Sequence, residues 1–212
     1  MSLTLYYHPL ASFCWKALIA LYETEIAFEP RIVDLSNPKE RGELAALWPF
    51  AKFPVLHDRG RDRVVPESSI IIEYLTQHYG SPLIGRDPEL AHEARLLDRF
   101  YDLYVHQSMQ KIVGDKLRPE SQRDAYGVAE ARALLDVAYT TLDRQMATRR
   151  WAAGEAFSLA DCAAAPALYY ADRVAPLGDY QNAAAYLQRL HARPSCARVF
   201  AEAQPYMHMF PG

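Results

Sequence analysis

Lys52-Phe53-Pro54-Val55-Leu56-His57-Asp58-Arg59-Gly60, continued through Val64-Val65-Pro66-Glu67-Ser68-Ser69-Ile70-Ile71, is the stretch on which the reading of the fold turns. A proline opens an apolar run after a loop, where its missing N–H does no harm. The run stops at Asp58-Arg59-Gly60, a turn composition, and a second apolar pair follows at Val64-Val65. Two short apolar runs around a turn predict a β-hairpin. The hairpin leads into a helix expected from about Ser68 to Tyr79.

Upstream, strand and helix signals alternate. Leu3–Tyr7 is a short apolar and aromatic run halted by Pro9, which reads as a buried strand. Phe13–Tyr22 is apolar on nearly every side, so its helix is packed on more than one face. Ile26, Phe28, Pro30 and Ile32 alternate with charged residues, and the proline makes this an edge strand. The order is β-α-β, a connecting segment, then β-β-α.

Downstream, residues 81–88 have linker composition, and beyond them strand signals vanish. Asp87-Pro88 is a helix start, with aspartate as N-cap and proline in the first turn. Leu90, Ala94, Leu97, Tyr101, Tyr104, Ser108 and Ile112 then share a helical period, and Pro119 ends the stretch. A second helix is expected from Ser121, with Val128, Ala131, Leu135, Ala138 and Leu142 on one face. A third begins near Ser158, and two shorter ones flank Pro194. A β-α-β-β-α half followed by an all-α half predicts two domains, 1–80 and 89–212, joined by 81–88.

Composition narrows the classes. Half of the 212 residues are hydrophobic and 23% charged, enough apolar material for a real core. A formal net charge of −3 gives no electrostatic case for nucleic acid. Cys14, Cys162 and Cys196 are odd in number and widely spaced, which is neither a disulfide framework, a metal site nor a dithiol redox pair. No apolar run approaches a membrane span. The opening Met-Ser-Leu-Thr-Leu-Tyr-Tyr lacks the basic and apolar regions of a signal peptide. A cytoplasmic setting is expected.

Three features, in order, carry a resemblance: Phe53-Pro54-Val55; Pro66-Glu67-Ser68-Ser69-Ile70-Ile71; and Phe157-Ser158-Leu159-Ala160-Asp161 before an alanine-rich helix. With the lead-in Pro9-Leu-Ala-Ser-Phe-Cys-Trp-Lys-Ala-Leu, the chain resembles the cytosolic glutathione transferases, nearest their bacterial, serine-type and zeta-like members, over essentially its whole length. The resemblance implies a thioredoxin-like α/β N-terminal domain and an all-α helical-bundle C-terminal domain. It implies glutathione as co-substrate, a small electrophile as second substrate, detoxifying conjugation chemistry and a homodimer. The family's proline is cis, which would turn the N–H and C=O of Phe53 toward glutathione's cysteinyl unit like an added strand. Glu67 and Ser68 would hold the γ-glutamyl end. The carboxylate would pair with the α-ammonium, and the serine, at a helix N-terminus, would face the α-carboxylate. Each is also an ordinary helix-start residue. Lys52 would meet the glycyl carboxylate, or is a solvated lysine. Ser158 to Asp161 reads as a capping box, with Phe157 as a staple toward Cys162, a folding role.

The thiol-activating group is less determined. A free thiol titrates near pH 8.5, so the site must give the sulfur a hydrogen bond and a positive potential. Serine-type relatives place their serine where this chain has Ala11 or Ser12, and Ser12 is the candidate catalytic residue. It could instead be the helix N-cap. Tyr7 is the alternative donor, and backbone N–H groups alone are a third. Cys14 lies one step inside the helix and reads as a buried small hydrophobe. Ala11-Ser-Phe-Cys-Trp15 echoes the zeta-class Ser-Ser-Cys-Ser-Trp turn, which keeps glutathione-dependent isomerisation open, although Phe13 replaces its cysteine. Ala11 keeps open a non-catalytic glutathione- or ligand-binding protein. Tyr101, Tyr104, His106, Tyr169 and Tyr170 lie on helices that in the family face the second substrate. The apolar tail Tyr206–Phe210 could close that pocket or pack on the domain.

Overall fold

Four short strands of the N-terminal region form one mixed sheet in the computed structural model, which describes residues 2–211. The strands are β1 (Leu3–Tyr7), β2 (Glu29–Ile32), β3 (Val55–Asp58) and β4 (Arg63–Pro66), in the spatial order β2-β1-β3-β4. β1 runs parallel to β2 and antiparallel to β3, and β3 pairs antiparallel with β4. The parallel pair needs a crossover, supplied by α1 (Ser12–Glu23). The expected hairpin is present, with its turn at 59–62.

β2 differs from expectation. Its four residues are all exposed, and Ile26 and Phe28 precede it, tucked against the core. The strand is an edge, as Pro30 requires, but Val33 just after it carries the burial. The connecting segment holds a helix that periodicity does not reveal: α2 (Pro38–Leu47) buries only Leu44. Asn37 caps it by accepting from the Lys39 N–H, and Pro38 fills the first turn. α2 closes one sheet face around Val33, Leu44 and Val55. The other face lies under α1 and α3 (Ser68–Tyr79) and joins the main core. This is the thioredoxin-like arrangement.

From Pro88 to Lys116 the chain is one helical run: α4 (Pro88–Phe100), a π-helical turn (Tyr101–His106) and α5 (Gln107–Lys116). The wider π turn rotates the helix face, so Val105 and Met109 join the buried row while Ser108 and Ile112 stay buried as expected. Tyr104 is 47% exposed. Leu90, also expected inside, is 55% exposed. α6 (Ala125–Met146) starts later than Ser121, because Asp124 is its cap. A short 3-10 turn occupies Glu120–Gln122. Ala131, Leu135, Ala138 and Leu142 form its buried face as expected.

α7 (Leu159–Val174) is the axis of the helical part, with fourteen buried residues. It packs against α1, α4 and the π turn. Its small alanines let those neighbours approach closely. Ser158 and Asp161 form the full capping box, and Phe157 packs edge-on against Trp151. α8 (Gln181–Ala192), α9 (Pro194–Ala203) and a 3-10 tail (Gln204–Met209) complete the chain. Beyond residue 90 the only β pairing among the described residues is one isolated bridge, Trp151 with Gly154.

Candidate functional site

The turn from β1 into α1 is pinned from several sides. The Ala11 N–H bonds the His8 carbonyl at 3.0 Å. The Trp15 indole N–H donates to the Pro9 carbonyl. The Tyr170 hydroxyl, from α7, donates to the Leu10 carbonyl at 2.8 Å. What the turn presents is a helix start without a side-chain cap. Ala11 holds the N-cap position with extended backbone and has no polar atom to offer. The first carbonyl bonds come from Cys14 and Trp15 to Ala11, and the N–H groups of Ser12 and Phe13 have no backbone acceptor among the described residues. Ser12 is therefore the first residue of the helix, not its cap. Two free N–H groups at the positive end of a helix suit a developing anion.

Ser12 lies half-buried, its hydroxyl bonded to Nε2 of His106 from the π turn. The Phe13 ring packs on the same imidazole, with 4.2 Å between ring centres. Burial, with the nearby Lys16 ammonium, pushes the His106 pKa down to about 3. The histidine is neutral at physiological pH.

A second helix start faces the same space. Glu67 precedes α3 at φ 70° and makes no cap hydrogen bond with its side chain. This left-handed-side backbone is uncommon for a residue with a Cβ and clusters at binding sites. Ala51, next to Lys52, shares the feature at φ 49°. The Glu67 carboxylate is exposed and in no ion pair among the described residues. The Phe53-Pro54 peptide bond is cis.

These elements enclose two adjoining cavities. One, of about 130 Å³, is bounded by Phe13, Trp48, Lys52, Phe53, Pro54, Glu67 and Ser68. Its lining is mixed, three aromatic rings and Pro54 alongside one exposed cation and one exposed carboxylate. The other, of about 290 Å³, is bounded by Leu10, Ala11, Ser12, Phe13, Phe53, Met109, Gln110, Val113, Tyr170 and Phe210, and is mostly apolar. Phe13 and Phe53 belong to both, so the cavities meet beside Ser12.

The structure thus brings Lys52, Phe53, Glu67 and Ser68 to one cavity and Ser12 to its junction with the next. Tyr7 is not at that junction. It is 6% exposed, and its hydroxyl is pushed up to about 12 by burial and then by the Glu202 carboxylate of α9. Cys14 is fully buried, and burial drives its thiol far above the ordinary range. Of the five candidate second-substrate residues, Tyr170 and His106 reach the site. Tyr101 is core, Tyr104 points outward, and Tyr169 stacks on Phe200 within the helical core. In the tail, Phe210 lines the apolar cavity and packs on Tyr170, with 5.1 Å between ring centres. Tyr206 meets His8 edge-on.

Sequence reasoning missed Trp48 and the charge cluster behind the site. Trp48 ends α2, so it is lost with that helix. The buried Lys16 ammonium, one turn after Ser12, pairs with Asp98 and, at 2.8 Å, with Asp102. It also donates to Ser69, and Arg99 joins both aspartates from the solvent side. Asp98, Asp102 and His106 sit four residues apart on the run from α4 through the π turn. That spacing, visible as an i, i+4, i+8 row ending at the candidate His106, is the signal that could have found the two aspartates.

A model of the glutathione S-transferase N-terminal domain matches residues 5–83, and one of the glutathione S-transferase C-terminal domain matches residues 97–194. The chain is 29% identical to FtsZ-localized protein A of Caulobacter vibrioides, covering 95% of this chain and 92% of that one. It is 25% identical to glutathione S-transferase GstB of Escherichia coli K12, covering 87% and 90%. A glutathione S-transferase of Methylobacterium radiotolerans, solved in complex with glutathione sulfonate, superposes with a TM-score of 0.81 at 26% identity, covering 93% of each chain. Two consecutive domain models in family order, on a thioredoxin-like sheet that leads into a helical bundle, show that this chain belongs to the glutathione S-transferase family.

Proposed function

We propose that the chain is a glutathione transferase that activates the glutathione thiol for addition to a small apolar electrophile. The junction, beside Ser12, of the charge-bearing mixed cavity with the apolar one carries this reading. Glutathione lies along the first cavity. Its γ-glutamyl end meets the Glu67 carboxylate and the α3 start at Ser68, its cysteinyl amide the backbone of Phe53, and its glycyl carboxylate Lys52. The sulfur then faces Ser12 and the free N–H groups of Ser12 and Phe13. These groups favour thiolate over thiol, and the thiol proton leaves to water. The apolar cavity holds the electrophile within reach, so catalysis is orientation plus thiolate stabilisation. The glutathione sulfonate bound by the Methylobacterium relative supports glutathione as the ligand. Ile70, Leu96 and Leu103, apolar and exposed on α3, α4 and the π turn, support a two-fold homodimer. Buried free cysteines suit a reducing, cytoplasmic setting.

Ala11 favours a second reading, a glutathione-binding protein without turnover, since no side chain there can touch the sulfur. The likeness to FtsZ-localized protein A, whose name denotes localisation rather than catalysis, points the same way. Capture on immobilised glutathione followed by turnover with a generic aromatic electrophile separates the two. Capture with turnover supports the enzyme; capture without turnover for any of a panel of electrophiles leaves the binding protein. Failure of capture contradicts both.

A further inference from the structure

Ser12 has one hydroxyl proton and cannot give it both to His106 and to a thiolate. The neutral imidazole of His106 likewise carries one N–H, at Nδ1 or at Nε2, and the partner of each nitrogen decides which. Nε2 faces the Ser12 oxygen. Nδ1 is buried and has no hydrogen-bond partner among the described residues. With the proton on Nδ1, a donor would be stranded in the core and Nε2 would consume the serine proton. With the proton on Nε2, His106 donates to Ser12 and Nδ1 keeps only an unused lone pair. Stranded buried N–H groups are the rarer and costlier arrangement.

From this geometry we infer that His106 is the Nε2–H tautomer, a positioning residue that donates to the Ser12 oxygen and so aims the serine proton at the glutathione sulfur. The inference rests on the reading of Ser12 given above and extends it to a residue 94 positions away. Donor-to-donor chains of this kind polarise each link, which strengthens the last one. Neither residue changes charge, and the thiol proton still leaves to solvent. Three features hold the imidazole in place. The π turn swings position 106 toward α1, and the Phe13 ring covers one side. Lys16, the ionisable neighbour that acts on the ring, disfavours a second proton. Asp98 and Asp102 in turn hold Lys16.

The test is the thiol pKa of bound glutathione, read from thiolate ultraviolet absorbance across pH, in wild type, Ser12→Ala, His106→Phe, His106→Gln and the Ser12→Ala/His106→Phe double variant. His106→Phe keeps ring volume and loses the donor, and is expected to raise the thiol pKa by roughly half a unit to one unit. His106→Gln, which retains an N–H, is expected to recover part of that shift. The double variant should match Ser12→Ala alone, because His106 acts only through the serine. A wild-type thiol pKa in His106→Phe beside a raised one in Ser12→Ala would overturn the histidine role and leave Ser12 standing. An unchanged pKa in both would overturn the two readings together. A lowered pKa in His106→Phe would mean that the histidine had been taking the serine proton. The imidazole ¹⁵N spectrum of wild type decides the tautomer without any variant. A protonated Nε2 and bare Nδ1 are expected, and the reverse would overturn the inference.

Discussion

Two helix N-termini of this protein solve the same problem in opposite ways. At α7 most of the early donors are used, the Leu159 N–H by the Leu83 carbonyl at 2.9 Å. Ser158 and Asp161 cap each other's backbone, and Asp161 also accepts from the Ala152 N–H at 2.8 Å and from the Tyr186 hydroxyl at 2.6 Å. The site is buried and closed. At α1 the cap is an alanine, two N–H groups stay free, and a cavity faces them. One start is finished by the fold, and the other is left open toward a cavity. Missing caps alone do not mark a site, since α8 and α9 also begin without one. The mark is a missing cap that faces a cavity, which α1 and α3 share.

The largest effect is expected on the closed side. Asp161→Ala strands four donors around a buried space and should cost about 3 kcal/mol or more, by analogy with broken buried charge networks. Urea unfolding measures it. A loss under about 1 kcal/mol, the worth of a single ordinary cap, would mean that the two helix starts differ less than their geometry implies.

Ala11→Asp attacks the comparison from the open side. Its backbone already has N-cap geometry, at φ −82° and ψ 114°. A carboxylate there should stabilise the fold by about 0.5–1 kcal/mol while occupying the N–H groups that the proposed function gives to the sulfur. Conjugation should fall roughly tenfold to a hundredfold. Stability and activity moving in opposite directions is the expected signature. A gain in both would show that the open start has no catalytic use.

Smaller effects are expected at the two ends of glutathione. Glu67→Ala should weaken glutathione binding about tenfold, the loss of one charge-assisted partner, with little change in thiol ionisation. Unchanged affinity by calorimetry would reduce Glu67 to a helix start. Lys52→Ala should cost about 0.2–1 kcal/mol, because its ammonium is solvent-exposed and salt-screened. Its effect should fade as ionic strength rises. An effect as large as that of Glu67→Ala would place Lys52 deeper in recognition than its exposure suggests.

The sequence carried the closed half of this comparison better than the open half. The Ser158 capping box, the hairpin and the Asp87-Pro88 start are local patterns that tertiary structure has no reason to override. α2 escaped because it buries one residue, so no periodicity exists to be read, although Asn37-Pro38 repeats the Asp87-Pro88 signal. Tyr104 was misplaced because a π turn changes the period mid-helix without a mark in composition. At the site, Lys52, Phe53, Glu67 and Ser68 were legible because they flank a turn of fixed order. The positive φ of Glu67 was not, since nothing in a Glu-Ser pair demands it. Ser12 was legible as a candidate only, because its partner His106 lies on another domain's helix and only the folded chain joins them.

In the proposed function α1 presents Ser12, and not Tyr7, to the glutathione sulfur. The pH–rate profile for one electrophile tests that assignment most directly, in wild type, Ser12→Ala and Tyr7→Phe. Ser12→Ala should shift the profile to higher pH and lower turnover near neutrality, by on the order of 2.7–4 kcal/mol at most. The defect should shrink at high pH, where the thiolate forms unaided. Tyr7→Phe should keep the wild-type profile, because the tyrosine is buried and lines neither cavity. A wild-type profile for Ser12→Ala together with a shifted one for Tyr7→Phe would contradict the account.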